Sequence, residues 1–139
     1  MAQTVREVMT TNPRTVSAGD TIADAARLMR DEDVGAVIVL KGQRVDGIAT
    51  DRDIAVRAVA DARDPNATSI GEIASTDLVS LAPDDTVERA IELMRQRSVR
   101  RLPVVDGQQP VGIVSIGDLA VERDSSSALA EISAASPNN

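Results

Sequence analysis

No cysteine, no histidine and no phenylalanine, tyrosine or tryptophan occurs in this sequence. The missing imidazole and thiol remove the usual general base, the usual covalent nucleophile, disulfides and most zinc sites. Carboxylates, hydroxyls, lysine and arginine are the polar reagents that remain. No acid/base pair with a nucleophile stands out among them, which argues against an enzyme and against a required metal or cofactor. Without aromatic rings there is no platform for stacking single-stranded bases, and a formal charge of −7 disfavours the polyanionic backbone. Nucleic acid is therefore excluded as an expected partner. No apolar run approaches the roughly 20 residues needed to span a bilayer, and the start MAQTVREVMTTNP lacks the apolar centre of a signal peptide. The expected address is cytoplasmic, without membrane contact, and the lack of cysteine fits a reducing compartment.

What is present is 42% apolar residues in a chain of 139, supplied by Val, Ile, Leu, Met and Ala. The core must be aliphatic, each large side chain contributing roughly 1.5–3 kcal/mol when fully buried. The dominant pattern is a hairpin from Val99 to Asp118. Apolar runs Leu102–Val105 and Val111–Val114 flank a Gly107-Gln108-Gln109-Pro110 turn, with Arg100 and Arg101 before the first strand and Ser115 and Asp118 after the second. The same pattern stands 65 residues earlier, with Thr50 and Asp53 in place of Ser115 and Asp118. The register holds upstream too, Asp20-Thr21-Ile22 over Asp85-Thr86-Val87 and Leu28-Met29-Arg30 over Leu93-Met94-Arg95. Roughly a third of the paired positions are identical, so the chain is two copies of one pattern. Copies of about 60 residues bury too little surface to be comfortable alone.

In chain order the residues predict a short helix over Thr4–Thr10 ended by Asn12-Pro13, a β-prone Thr15-Val16-Ser17, and an amphipathic helix to about Asp31 capped by Asp20 or by Thr21 with Asp24. A hairpin over 36–50 and a helix from Asp51 to Ala62 follow. The second copy predicts a short helix around Ser69–Ala74, a strand Leu78–Leu81, a helix Asp85–Gln96 opened by Asp85 and Glu88, the hairpin and a last helix from Ile116. The division expected is a first copy over 5–62, a linker at 63–68 with turn chemistry, a second copy over 69–123 and a mobile tail at 124–139 without assigned function.

With the repeat laid out as strand, helix, strand, strand, helix, the chain resembles a tandem pair of CBS domains, or Bateman module. The resemblance rests on Val99-Arg100-Arg101-Leu102-Pro103-Val104-Val105 and on the endings Gly47-Ile48-Ala49-Thr50-Asp51-Arg52-Asp53 and Gly112-Ile113-Val114-Ser115-Ile116-Gly117-Asp118. It implies an α/β (α+β) fold of two small sheets with packed helices, related by a pseudo-twofold axis. It also implies a regulatory module like the stand-alone bacterial CBS pairs linked to stress or energy status. In that family adenosine-containing ligands (AMP, ADP, ATP or S-adenosylmethionine) bind between the repeats. The carboxylate of Ser/Thr-x-x-Asp takes ribose hydroxyls and the hydroxyl lies near ribose or phosphate. The resemblance assigns these roles to Asp53 with Thr50 and to Asp118 with Ser115. It assigns phosphate contact to Arg101 with Arg100 beside it, and adenine contact to Val16, Val37, Ile38, Leu81, Leu102 and Pro103.

The residues leave a second reading open. Ser/Thr-x-x-Asp is also a capping box, and a ligand-free structural or interaction module with degenerate pockets would keep the same residues. Arg95, Arg97, Arg100 and Arg101 fall where the first copy has Arg30, Glu32, Gly35 and Ala36. Guanidinium forks suit phosphate, whereas Asp31-Glu32-Asp33 repel it, so the two pockets are expected to be unequal. The stripe Ile54, Ala55, Ala58, Val59 reads as core or as a dimer face, and the family pairs modules through such helices, implying a homodimer and an unidentified regulated protein.

Overall fold

A computed structural model describes residues 3–76 and 78–123, with side chains to residue 120. The tail read as mobile, 124–139, lies outside the described residues. In chain order the elements are α1 (Val5–Val8), β1 (Thr10–Thr11), β2 (Thr15–Ser17), α2 (Ile22–Glu32), β3 (Ala36–Lys41), β4 (Arg44–Thr50), α3 (Asp51–Asp53) running into a π-helical segment (Ile54–Val59), and a 3-10 turn (Ile70–Glu72). After them come α4 (Val87–Arg97), β5 (Arg101–Asp106), β6 (Gln109–Ser115) and α5 (Ile116–Arg123). The fold is the mixed α and β arrangement expected. Among the described residues no helix is long and apolar enough to cross a membrane.

Two compact units result: a middle unit of 14–76, and an outer unit in which 3–13 packs with 78–123. These packing units are not the sequence repeats, because each unit takes a segment from the other repeat. Thr4 bridges Thr86 and, at matching positions, Ser69 bridges Thr21. The first amides of a helix need acceptors from outside it. Ile22 and Ala23 donate to the carbonyls of Thr68 and Pro65 at 3.0 Å each, and Val87 donates to Gln3 at 3.0 Å. The stretch read as a linker is thus bonded onto the start of α2.

In the middle unit β2 runs parallel to β3, and β3 is antiparallel to β4. Strand alternation turns Val37, Val39 and Ala49 toward a core shared with Ile22, Ala25 and Met29 of α2 and with Ile70 and Ile73. In the outer unit the sheet order is β1-β6-β5. There Leu102, Val104 and Val114 pack on Val87, Ala90, Leu93 and Met94 of α4 and on Val5 and Leu119. Gly42 and Gly107 turn the hairpins at φ 66°, a left-handed conformation that glycine adopts at little cost.

Four local expectations are corrected. The first helix is a single turn, Val5–Val8, because Thr10 and Thr11 leave it to pair with Ile113 and Gly112. The helix after Thr50 is α for one turn only and π beyond, Ala60 donating to Ala55 at 3.1 Å. Helix α4 is capped by Thr86, whose hydroxyl accepts from the Arg89 amide at 3.1 Å, while Asp85 bonds back to the Ala82 amide at 2.8 Å. Over Leu78–Leu81 no strand forms; Leu81 alone bridges Val104.

Candidate functional site

Each hairpin ends in a capping box. At the close of β4 the Thr50 amide donates to Asp53 Oδ2 at 2.9 Å, and the Asp53 amide donates to Thr50 Oγ1 at 3.1 Å. At the close of β6 the Ser115 amide donates to Asp118 Oδ2 at 2.9 Å, and the Asp118 amide donates to Ser115 Oγ at 3.2 Å. The helix-capping role of both pairs is therefore present. The cap engages one carboxylate oxygen, and an ionised carboxylate has acceptor sites on both.

Pairing across each hairpin decides what surrounds these groups. Arg101 lies directly opposite Ser115, and Pro103 opposite Ile113. Residues opposite each other in an antiparallel pair share a face, so Arg101, Pro103, Ile113 and Ser115 form one side of the outer hairpin. Leu102, Val104 and Val114 form the other side, in the core. The Ile116 amide donates to the Arg100 carbonyl at 2.9 Å, tying the arginine pair to the start of α5. Burial pushes the Asp118 carboxyl above its ordinary value, against the pull of the Ser115 bonds and of the Arg101 charge.

The middle unit repeats the plan with different charges. Ala36 is opposite Thr50 and Ile38 opposite Ile48, and the Asp51 amide donates to the Gly35 carbonyl at 3.0 Å. Gly35 and Ala36 thus stand where the outer unit has Arg100 and Arg101. The cation beside Asp53 comes from the helix instead: Arg57 Nε lies 3.8 Å from Oδ1, and Arg57 Nη1 donates to the Ile73 carbonyl at 3.2 Å. The Asp53 side chain is 14% exposed. Position 57 is matched in the second copy by Glu122, opposite in sign.

Of the twelve residues read from the sequence, Thr50 and Ile38 share the second face of the middle hairpin, where Ile38 is fully buried, and Asp53 is bonded to Thr50 from α3. Ser115, Arg101 and Pro103 share that of the outer one, where Pro103 is fully buried; Asp118 is bonded to Ser115 from α5, and Arg100 precedes β5. Val16 and Val37 lie in the middle core, and Leu81 and Leu102 in the outer core, where their side chains are committed to packing. Sequence reasoning missed Ile48, Ile113 and Arg57. Hairpin register could have found the first two, and the i+4 spacing from Asp53 the third. Among the described residues no group of three or more acids could hold a metal ion.

Comparison with known proteins bears on this geometry. The CBS-domain family model matches residues 5–59 and again 70–124. The chain is similar to the CBS domain-containing protein YhcV of Bacillus subtilis (strain 168), 47% identical over 133 residues, covering 93% of this chain and 94% of that one. It is also similar to Hypoxic response protein 1 of Mycobacterium tuberculosis, 32% identical over 118 residues, covering 84% of this chain and 82% of the relative. The crystal structure of that protein, which has two coordinated zinc ions, superposes with a TM-score of 0.75, 31% identity, and 86% and 98% of the two chains covered. The CBS domain pair of protein MJ0100, solved in complex with 5′-methylthioadenosine and S-adenosyl-L-methionine, shares the fold at a TM-score of 0.79 and 22% identity. The match covers 91% of this chain and all 100% of that one. The chain belongs to the CBS-domain family and carries two CBS domains in tandem.

Proposed function

We propose that this CBS pair is a non-catalytic regulatory module that binds an adenine nucleotide of the AMP, ADP or ATP class and signals its occupancy to a partner protein. One observation carries the reading: Arg101 is seated opposite Ser115 on the same hairpin face, in the charge field of Asp118. A ribose donates its hydroxyls to a carboxylate, and a phosphate takes bidentate bonds from guanidinium. Both acceptor and donor are thus held at one strand end, with Pro103 as apolar neighbour. The ligands of MJ0100, which carry adenosine without phosphate, support the adenosine part of the ligand class through a shared fold only. No chemistry is asked of the site; a ligand acts by favouring one arrangement of the module over another through its differential affinity.

The test is a thermal-shift series with AMP, ADP, ATP and S-adenosylmethionine. A native-state ligand at 100 times its Kd adds about 2.7 kcal/mol of stability, which registers as a clear rise in Tm. A flat response to all four would leave the second reading, a structural or interaction module. The complete capping boxes at Thr50/Asp53 and Ser115/Asp118 favour that reading.

The partner includes a second copy of the chain. Val56 and Val59 on the π-helical segment are 50% and 69% exposed, an apolar pair that a homodimer would cover. Light scattering at micromolar concentration reads the dimer directly, and a monomeric mass would end this part of the proposal.

A further inference from the structure

The two capping boxes are alike in backbone and unlike in charge. At the outer hairpin the β5 end brings Arg101 opposite Ser115, preceded by Arg100. At the middle hairpin the same places hold Ala36 and Gly35, and the residue after the cap is Asp51 where the outer unit has Ile116. The chain enters β3 from Asp31-Glu32-Asp33, where Asp31 pairs with Arg30 at 2.9 Å and Glu32 with Arg14 at 3.4 Å, and enters β5 from Arg97-Ser98. The one described cation beside Asp53, Arg57, is held by that carboxylate and by the Ile73 carbonyl, both within the middle unit.

A ligand phosphate carries negative charge and needs donors and a favourable field. The middle hairpin end offers an aliphatic strand start in place of the two arginines and an added carboxylate at Asp51. A ribose needs only acceptors, and a carboxylate stands at each end, Asp53 at the middle one and Asp118 at the outer one. We infer that the two ends take different classes of adenosine: the Ser115/Asp118 end a phosphorylated one, the Thr50/Asp53 end a nucleoside without phosphate. Residues 36 and 101 set the choice. This rests on the nucleotide reading above and sharpens it, because the chain then reports two chemically distinct ligands rather than one ligand twice.

Amide-resolved NMR titration of the whole chain with adenosine and with AMP separates the ends without disabling either. Adenosine should move the Thr50, Asp51 and Asp53 amides at lower concentration than AMP does. AMP should move the Ser115, Ile116 and Asp118 amides at lower concentration than adenosine does. Arg101→Ala should cut the AMP preference of the outer end about tenfold or more, the worth of one charged hydrogen bond. Ala36→Arg, at a half-buried strand end, should bring the middle end to an AMP preference like that of the outer one. Equal AMP preference at both ends of the wild-type chain, or no gain from Ala36→Arg, would overturn the inference and leave nucleotide binding standing. Failure of both ligands to move either set of amides would overturn the inference together with the reading beneath it.

Discussion

Ile38 and Pro103 occupy matching places in the two hairpins, and Ile38 donates its amide to the Arg14 carbonyl at 2.9 Å, a bond that proline cannot make. The consequence is an asymmetry of sheets. In the middle unit that bond begins a parallel ladder, and Thr15–Ser17 is a strand. In the outer unit the ladder keeps the Leu81 rungs, Leu81 to the Pro103 carbonyl at 2.9 Å and Val105 to the Leu81 carbonyl at 2.8 Å, and stops there.

Exchanging this feature should therefore be costly in one direction. Ile38→Pro removes a donor from the central strand of the middle sheet and orphans the Arg14 carbonyl, with an expected loss of about 1–3 kcal/mol. Urea unfolding followed by far-ultraviolet circular dichroism measures it. The reverse change, Pro103→Val, supplies an amide, and hydrogen exchange should show that amide protected if residues 78–81 close up as a strand.

Two glycines test how closely the exchanged segments press on the sheets. A Cβ at Gly47 would fall against the Ser75 carbonyl oxygen, in backbone that bonds Ile48 in both directions. A Cβ at Gly112 would meet the Met9 Sδ at 2.5 Å, the end of a flexible side chain, and Thr10 O at 2.9 Å. Gly47→Ala should cost about 1–3 kcal/mol by overpacking, and Gly112→Ala should cost less because Met9 can yield and the Thr10 carbonyl is approached less closely than the Ser75 carbonyl. Denaturant midpoints for the two variants give the order.

Asp118 makes the stability of the chain sensitive to pH. Its carboxyl is raised by burial, so the folded chain holds this proton more tightly than the unfolded chain. The stabilising contribution of the bound proton is fully present below the unfolded value and is lost as pH rises through the folded one. Relative to Asp118→Asn, the wild type should lose stability as the solution is made less acidic across that window. The proposed nucleotide affinity runs the other way, since an ionised carboxylate is the stronger acceptor for ribose hydroxyls. AMP binding should weaken on acidification with a midpoint above the ordinary aspartate range, and the Asn variant should lack that limb. Calorimetric titrations across acid pH check both signs.

Much of the fold was legible because duplication exposes it. The 65-residue register locates both hairpins, and of the two caps open for α2 the structure takes Thr21 with Asp24, bonded in both directions at 3.2 and 3.1 Å, while Asp20 is not the cap and accepts from the Ser17 amide at 3.0 Å instead. What stayed hidden depends on contacts distant in sequence. Thr10-Thr11 reads as a helix end until β6 is beside it, and Leu78–Leu81 reads as a strand until the missing amide of Pro103 is set against it. The candidate site was half legible for the same reason. Motif residues announce themselves by type and spacing, but Val37 and Leu102 went to the core and Ile48 and Ile113 to the site face by strand alternation, which follows only from the pairing.

In the proposed site Asp118 and Arg101 together hold the nucleotide. Isothermal titration of AMP into wild type, Asp118→Ala and Arg101→Ala, each checked for folding by circular dichroism, tests it most directly. Saturable binding to the wild type is expected, with a drop of about tenfold or more in each variant and weaker salt dependence in Arg101→Ala. Unchanged affinity in both variants would contradict it.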